Sequence, residues 1–494
     1  LALFSEKPAT CPSNPVQVEN VLAHDAPGIT RGTQWAYGGG GGAYGVLRNA
    51  HYFVLVYYSQ VLGLDPALAG LAVGIGLVVD AITDPLIGYL SDCTRSRWGR
   101  RHPWLIASIL PLAASFYFLW HPPAFVEGDA LLFTWLVTCN VSMRIGFTMF
   151  VVPALAIVAE ITSDYDRRTK LLTLFHVVYS TFNNGMSVLM YAIWLVPTEE
   201  YADGVMNPAG YQEAGVVGSI IIVVSILFFS IGLRRFIPRL RQFRIENPIS
   251  LREFLRQVSD VFRSVSARIV VLAGMLYYAG VGTYVVLWVY IYSYFWEFTS
   301  EQIAIIVIPM GFAALFLPPV IARWGIGREK KTIAIAGLLG GMLINLIPIS
   351  LRLLGWFPEN GTDALFRIMF VAGFFEAGLL LLFDISWRSM TADLTERMEL
   401  ETGRRNEGVI SSTVAFTAKC ADALGTLIGG SALALIAFPT ETAVGDVPED
   451  VIARLGVVYG PVIFLIWLCA IVTISRYRIS RARHKDMLAR LAKP

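Results

Sequence analysis

The sequence predicts an all-α polytopic membrane protein in which twelve membrane-spanning helices form two six-helix bundles. Of its 494 residues, 55% are hydrophobic and only 15% are charged, against about 25% charged in soluble domains. The mean hydropathy is +0.59. A soluble chain of this length, a disordered chain and a nucleic-acid binder are all excluded. The first two need more polar surface, and the third needs a large basic excess, whereas the formal net charge here is +2.

Apolar runs of about 20 residues mark the spans, because that length of helix crosses a bilayer. The twelve runs are 37–62, 67–91, 104–120, 131–160, 172–196, 214–234, 267–295, 302–322, 332–354, 364–387, 408–437 and 456–475. Basic loops lie at 95–101, 167–170, 328–331 and 397–405, whereas the alternate loops 121–130, 197–213 and 355–363 hold no Lys or Arg. Because cytoplasmic loops carry the excess of Lys and Arg, both termini are expected in the cytoplasm.

The spans divide the chain into five segments. We expect a flexible cytoplasmic tail over 1–35, a first bundle over 36–234, a linker over 235–266, a second bundle over 267–475 and a basic cytoplasmic tail over 476–494. In the linker, apolar residues recur at helical spacing and predict an amphipathic interfacial helix. They are Leu251, Phe254, Leu255, Val258, Phe262 and Val265. A plain basic linker is the open alternative.

Ionisable residues inside the predicted spans are candidate functional residues, because each costs several kcal/mol in lipid. They are Arg48, Asp80, Asp84, Arg144, His176, Glu376, Asp384, Lys419 and Asp422. The alternative for each one is a structural ion pair inside a bundle. The sequence shows no nucleotide motif, no catalytic triad and no metal-like cysteine spacing, so we expect neither an enzyme nor a cofactor.

Asp80 and Asp84 are the most informative pair. They are four residues apart and so share one helix face, where two carboxylates repel each other. They can coexist if one is protonated, if a cation lies between them, or if Lys419 reaches them. Each option describes a cation or proton site, and carboxylate oxygens suit a hard ion such as Na⁺.

Four sequence blocks carry a family resemblance. Residues 80–103 read DAITDPLIGYLSDCTRSRWGRRHP, and span four ends TMFVVPALAIVAEITSDYDRRTKL. Residues 390–408 read MTADLTERMELETGRRNEG, and span eleven carries FTAKCADALG. Together they resemble the glycoside–pentoside–hexuronide:cation symporters, the melibiose-permease-like branch of the major facilitator superfamily. The resemblance covers nearly the whole chain from about residue 36.

The resemblance implies a V-shaped fold that opens alternately to either side of a bacterial inner membrane. It places Asp80 and Asp84 at the positions that bind the coupling cation, as metal ligands if that cation is Na⁺. It also places Thr148 at a position that supplies an oxygen ligand, and Lys419 at the position of a lysine close to the site. The expected coupling cation is Na⁺ or H⁺.

The sugar half of the family's site differs in this chain. Tyr44 (or Gly45) and Val151 stand at the two sugar-binding aspartate positions, His176 stands at an arginine position, and Asp384 replaces a tryptophan. The resemblance therefore implies that the chain is not a melibiose carrier.

Two substrate classes remain open for a sugar carrier. Arg144 lies one turn before Thr148 and can bind a carboxylate, sulfonate or phosphate, and Arg48 with neighbouring Asn49 is a second candidate. This favours an anionic glycoside such as a hexuronide or sulfosugar. The alternative is a neutral oligosaccharide held by Asp384, His176 and aromatic rings, with Arg144 paired to Asp384 or Glu376.

A second branch of the superfamily supplies the runner-up. The lysophospholipid symporters resemble this sequence at DAITDP and keep the membrane lysine, so a lipid headgroup is an alternative substrate. A non-coupled channel, scramblase or receptor is the rival from another class. We expect a monomer whose partners are a small molecule and membrane lipids, with no nucleic acid.

The basic loop after span two is expected to form a cytoplasmic gate. Asp92 is expected to pair with an arginine there, and the gating candidates are Asp92, Arg95, Arg100 and Arg101.

Overall fold

A computed structural model describes residues 29–162, 164–240, 259, 262–324, 328–402, 407–477, 479–480, 482–483 and 487. Most of the predicted tails, and Leu251, Phe254, Leu255 and Val258 of the predicted linker helix, lie outside the described residues. The described part is helical, as the sequence predicts.

Twelve helical segments, numbered α1–α12, follow one another in the described residues. The first six are α1 (Arg31–Gly39, Gly41–Val56 and Tyr57–Val61), α2 (Pro66–Cys93), α3 (His102–Ala107 and Ile109–Trp120), α4 (Asp129–Ile161), α5 (Tyr165–Leu189 and Met190–Trp194) and α6 (Pro208–Gly232). The second six are α7 (Val265–Tyr290 and Ile291–Phe295), α8 (Ser300–Trp324), α9 (Lys330–Leu353), α10 (Asp363–Thr402), α11 (Glu407–Leu435) and α12 (Glu449–Val457, Val458–Val462 and Ile463–Ser475). Short helical turns lie at Gly204–Met206, Arg234–Phe236 and Ile237–Leu240.

Eight helices of the described part are long and apolar enough to cross a membrane: α2, α3, α4, α6, α7, α9, α10 and α12. The other four include α1 and α11, whose runs are interrupted by Arg48 and by Lys419 with Asp422. These charged residues lower the hydropathy of the two helices. They belong to the site described below.

Local sequence explains where several helices begin. Asp65 caps α2 by accepting hydrogen bonds from the backbone of Ala67 and Leu68, and Pro66 occupies the first turn. Asn207 caps α6 in the same way, again followed by a proline. Thr30 caps α1, which therefore begins at Arg31, inside the segment predicted as a flexible tail.

The first six helices pack mainly against one another, and so do the last six. Two pairs of helices in particular bring the two sets together: α2 packs along α11, and α5 packs against α8. Close approach of α2 and α11 depends on Gly70 and Gly430, since a Cβ atom on Gly430 would lie 2.5 Å from the carbonyl oxygen of Pro66. The two sets therefore meet closely at this end of α2.

That end of the molecule is sealed by neutral hydrogen bonds, and we call it the closed end. It comprises Ser59, Gln60, Tyr290 and Tyr294 with the loop 436–448. The hydroxyls of Ser59 and Tyr290 are hydrogen-bonded, Gln60 donates to the carbonyl of Pro439 at 3.0 Å, and Tyr294 donates to that of Thr442 at 3.1 Å. Both α1 and α7 end here in a π-helical turn, a feature frequent at functional sites.

A half-buried carboxyl adds one further contact at the closed end. Asp203, in the loop between α5 and α6, accepts hydrogen bonds from the backbone of Val205 at 3.0 Å and of Val444 at 3.4 Å. Burial raises the pKa of Asp203, and these two hydrogen bonds offset only part of that rise. The contact with Val444 joins the first six helices to the last six.

Gly430→Ala is expected to open the closed end, because the added methyl group would overlap the backbone of α2. Overpacking costs about 1–3 kcal/mol, which corresponds to roughly 5- to 150-fold in a conformational equilibrium. Amide hydrogen exchange at residues 57–61 and 291–295 should rise accordingly. Gly185→Ala is the matched control, since a Cβ at Gly185 has no other atom within 4 Å. Equal exchange in both variants would contradict the prediction.

Candidate functional site

A cluster of four side chains links α2, α4 and α11. Asp80 is only 1% exposed. The hydroxyl of Thr148 lies 2.7 Å from Asp80 Oδ1 and 3.0 Å from Asp84 Oδ1, so it can donate to either carboxylate. Lys419 Nζ lies 2.8 Å from Asp80 Oδ2 and 2.5 Å from Asp84 Oδ2. We call Asp80, Asp84, Thr148 and Lys419 the aspartate cluster.

The aspartate cluster has the chemistry of a cation site. Two carboxylates face one ammonium, which leaves a formal charge of −1 when both acids are ionised. Its donors, two carboxylates and one hydroxyl, are all oxygen and fit Na⁺ or a proton better than a soft transition metal. Lys419 comes from the second set of helices, so an ion that competes with it would alter the contact between the two sets.

A second charged contact joins α1 to α11. Arg48 Nη1 lies 3.3 Å from Asp422 Oδ2, and the other carboxylate oxygen of Asp422 is buried with no hydrogen-bond partner among the described residues. One turn further on, His51 Nε2 lies 3.4 Å from the hydroxyl of Thr426. Asn49 faces α5 instead, where its amide donates to the carbonyl of Asn183 at 3.0 Å. Arg48 therefore contacts α11 and Asn49 contacts α5.

Arg144 is the candidate with an unsatisfied donor. Its Nε is buried and has no hydrogen-bond partner among the described residues. It lies close enough to Asp80 and Asp422 to interact electrostatically with both, and Arg48 and Tyr44 are also near it. The two alternative partners that the sequence offers have other contacts: Asp384 pairs with Arg388, and Glu376 accepts a hydrogen bond from Asn345. A guanidinium whose buried Nε is still free to donate is suited to bind an anionic group.

The Asp384 carboxylate belongs to a separate polar group on α7 and α10. Tyr278 donates to Asp384 Oδ1 at 2.8 Å, and Arg388 Nε lies 2.8 Å from Asp384 Oδ2. His176 of α5 lies close enough to Asp384 and Arg388 to interact electrostatically with both. The Arg388 side chain is 64% exposed. This group therefore lies where the two sets of helices face each other and where solvent has access.

Two other substrate candidates lie apart from each other. The ring of Tyr44 packs among aromatic rings of the first set, 5.0 Å from Phe147 and 4.7 Å from Tyr179. Glu376 is buried inside the second set, where it accepts a hydrogen bond from Asn345 at 3.1 Å. The structure thus brings Arg144 close to Asp80 and places Arg48 and Tyr44 near Arg144, whereas Glu376 lies in a different environment.

Three of the four gating candidates, Asp92, Arg100 and Arg101, form a compact ionic cluster at the far end of α2. Arg101 pairs with Asp92 and lies 3.0 Å from Glu160, while Arg100 Nη2 lies 2.7 Å from Glu160. Arg95 is exposed. These contacts connect α2, the following loop and α4, which all belong to the first set. In the second set, Lys330 pairs with Asp393 at 2.6 Å.

Sequence reasoning missed several residues of these clusters. His51 and Glu160 lie within the predicted spans 37–62 and 131–160, so the search for ionisable residues inside spans should have included them. Arg388 falls one position beyond the predicted span 364–387, yet α10 continues to Thr402. Thr426 carries no charge, and only the fold shows its partner. Tyr278 is one of the span-seven aromatic rings that the sequence offers to a sugar, but its contact with Asp384 is likewise visible only in the fold.

Comparison with known proteins gives one family match and several relatives. The model of the family MFS_2, described as MFS/sugar transport protein, matches residues 36–481. A putative glycoside/cation symporter of Escherichia coli, YagG, is 23% identical over 94% of this chain and 95% of its own length. An uncharacterized symporter of Synechocystis, sll1374, is 32% identical, but the match spans only 41% of this chain and 37% of that protein. A sodium-dependent lysophosphatidylcholine symporter of Gallus gallus is 32% identical over 20% of each chain.

Proposed function

Because the chain belongs to the MFS/sugar transport protein family and is a transporter, we propose that it couples the movement of a sugar or glycoside to that of Na⁺ or H⁺. The observation that carries the proposal is the aspartate cluster, in which the buried Asp80 and the half-buried Asp84 of one set of helices face a lysine of the other. YagG, which is similar along almost the whole chain, is named a putative glycoside/cation symporter. That name supports a glycoside as the substrate and a cation as the coupled ion. We place the protein, as a monomer, in a bacterial inner membrane with both termini in the cytoplasm.

In this proposal, cation binding and the contact between the two sets of helices are linked. One bound Na⁺ or H⁺ offsets one of the two carboxylate charges of Asp80 and Asp84 and so weakens their attraction for Lys419. The hydroxyl of Thr148 then supplies a further oxygen to Na⁺, or a hydrogen bond to the carboxylate that stays ionised. Release of Lys419 loosens α2 from α11 and permits the rocking motion of alternating access. Linkage requires that substrate also tightens cation binding.

The same proposal gives the substrate an anionic group. Arg144 has a buried, unsatisfied Nε and lies near the aspartate cluster. A carboxylate or sulfonate on a glycoside would complete its hydrogen bonds. The sugar ring would then lie towards Asp384, Tyr278 and His176, where hydroxyl groups find both donors and acceptors. A hexuronide or a sulfosugar meets both requirements.

The thermal stability of the purified protein tests this assignment. Glycosides, uronides, sulfosugars and lysophospholipids would each be added in Na⁺ and in choline, at two pH values. A ligand that binds the folded state raises the melting temperature by mass action. A uronide or sulfosugar shift that grows in Na⁺ supports Na⁺ coupling, and one that depends only on pH supports H⁺ coupling. No shift with any glycoside would contradict the proposal.

Arg144→Gln is expected to reduce affinity for an anionic glycoside selectively. Hydrogen bonds to charged groups contribute about 1.5–3 kcal/mol each, so the dissociation constant should rise roughly 10- to 150-fold. Affinity for the neutral analogue of the same sugar should change little. Arg367→Gln is the matched control, since the side chain of Arg367 is 79% exposed. An equal loss for the charged and neutral sugars would show that Arg144 has a structural role only.

A lysophospholipid is the second candidate substrate. The Gallus gallus relative supports it, although the match covers only a fifth of either chain. A phosphate headgroup could use Arg144 as a carboxylate would. In the stability assay, a shift with lysophosphatidylcholine and none with any sugar would favour this candidate.

A further inference from the structure

The second set of helices contains a buried acid that the proposed cation site does not use. Glu376 of α10 is 5% exposed. Its Oε1 accepts a hydrogen bond from Asn345 of α9 at 3.1 Å. Tyr284 of α7 and Tyr459 of α12 lie beside the carboxyl group. The acid is therefore enclosed by four helices of one set, away from the aspartate cluster.

No cation balances this carboxyl group within the described part of the chain. The groups that face it are the amide of Asn345 and the hydroxyls of Tyr284, Tyr292 and Tyr459, which are all uncharged. Arg352 of α9 lies over the rings of Phe295 and Trp296 rather than against the acid. An ionised carboxylate that is buried without a balancing cation is strongly disfavoured, so the neutral acid is the stable form.

A small cavity borders the acid and connects it to the π-helical turn of α7. Glu376, Asn345, Tyr292, Trp296 and Tyr459 line a small cavity. Tyr292 belongs to the π-helical turn of α7, next to Tyr290 and Tyr294 of the closed end. A change in the closed end would move this turn relative to α10 and alter the environment of the acid. Proton affinity at Glu376 would then differ between the two conformations.

We propose that Glu376 is a second proton-binding site, which holds H⁺ in the conformation described here and releases it when α7 shifts against α10. The site is separate from the aspartate cluster in position and in chemistry. Lys419 keeps the two aspartates in an ionic contact, whereas uncharged groups surround Glu376. The proposal concerns a bound proton and holds whichever substrate the carrier takes.

Chemical labelling tests the protonation state directly. Dicyclohexylcarbodiimide is an apolar reagent that adds to protonated carboxylic acids, and the modified peptide is identified by mass spectrometry. In the purified full-length protein at neutral pH, we expect label on Glu376 and its loss as the pH is raised. Absence of label on Glu376, in a sample where the reagent modifies other membrane acids, would overturn the proposal.

A difference titration tests whether the proton exchanges. Wild type and Glu376→Gln are titrated in weakly buffered detergent solution. We expect the wild type to carry one more proton per chain at mildly acidic pH and to release it at alkaline pH. Glu301→Gln, which removes an exposed carboxylate at the start of α8, is the control and should show no such difference. A label that persists at every pH, with no titrating proton, would identify a permanently closed structural acid and would overturn the exchange step.

A conformational readout separates a transport role from a local one. Gly430→Ala, expected to open the closed end, should slow the labelling of Glu376 at neutral pH, because the acid would lose its proton more readily. An unchanged labelling rate in a variant whose closed end is shown by hydrogen exchange to be open would contradict the link to α7. Failure of the sugar assignment would leave all three measurements unaffected.

Discussion

Replacing Asp80 with Asn is expected to abolish cation-coupled uptake while leaving the protein folded. The change removes one of two carboxylates, so Lys419 and Asp84 form a neutral pair that no longer requires an added cation. Asp80 also accepts the hydrogen bond of Thr148 at 2.7 Å. Hydrogen bonds to charged groups contribute about 1.5–3 kcal/mol each, so cation affinity should fall roughly 10- to 150-fold.

The measurement is the increase in melting temperature with Na⁺ or with falling pH, followed by cation-dependent uptake once a substrate is identified. Asp129→Asn is the matched control, because Asp129 is an exposed acid at the start of α4. Thr148→Ala should give an intermediate loss, since it removes one neutral oxygen. Uptake in Asp80→Asn that remains as dependent on the cation as in wild type would refute the assignment of the aspartate cluster.

Replacing Lys419 with Met is expected to cause the largest loss of stability among these variants. It leaves two acids facing each other without a cation, and breaking a buried ion pair costs about 3–5 kcal/mol. The lower end applies here, because the side chains of Lys419 and Asp84 are 27% and 26% exposed. The unfolding midpoint in choline should therefore fall, and Na⁺ should restore part of it by taking the place of the ammonium.

The double variant Lys419→Met with Asp84→Asn provides the control. It removes one acid together with the lysine, so the remaining Asp80 no longer faces a like charge. Stability should recover most of the loss, and the two substitutions should be strongly non-additive, as expected of residues in contact. Additive effects of the single substitutions, or a loss that Na⁺ does not reduce, would show that Lys419 does not balance these acids.

The fold class can be predicted from the sequence because hydropathy and loop charge are averages over many residues. Apolar runs of the right length predict the spans, and the four family blocks fix which span is which. The residues at which individual helices end are harder to predict from the sequence. Arg388 was excluded because the predicted span stopped at 387, whereas α10 continues to Thr402. The residues after 387 are polar but still favour a helix, so hydropathy marks where the membrane ends rather than where the helix ends.

The partners of the charged residues could not be derived from sequence. Helical spacing places Asp80 and Asp84 on one face, which is a local relation. For Arg144, however, the sequence offers Asp384 or Glu376 as alternative partners, and the structure pairs Asp384 with Arg388 instead. Contacts between helices depend on how each one is rotated about its axis, and a single sequence does not record that rotation. The roles of these residues in transport stay predictions.

The contact between Asp84 and Lys419 also bears on how the protein is made. The two residues are 335 positions apart in the chain. At about 5–20 residues per second, the ribosome needs roughly 20–70 s to travel between them. Throughout that interval α2 lies in or near the bilayer with both acids lacking their lysine. Until the second half is made, these acids must be protonated or pair with a cation of the first half, such as Arg144, which lies close to Asp80 in the folded chain.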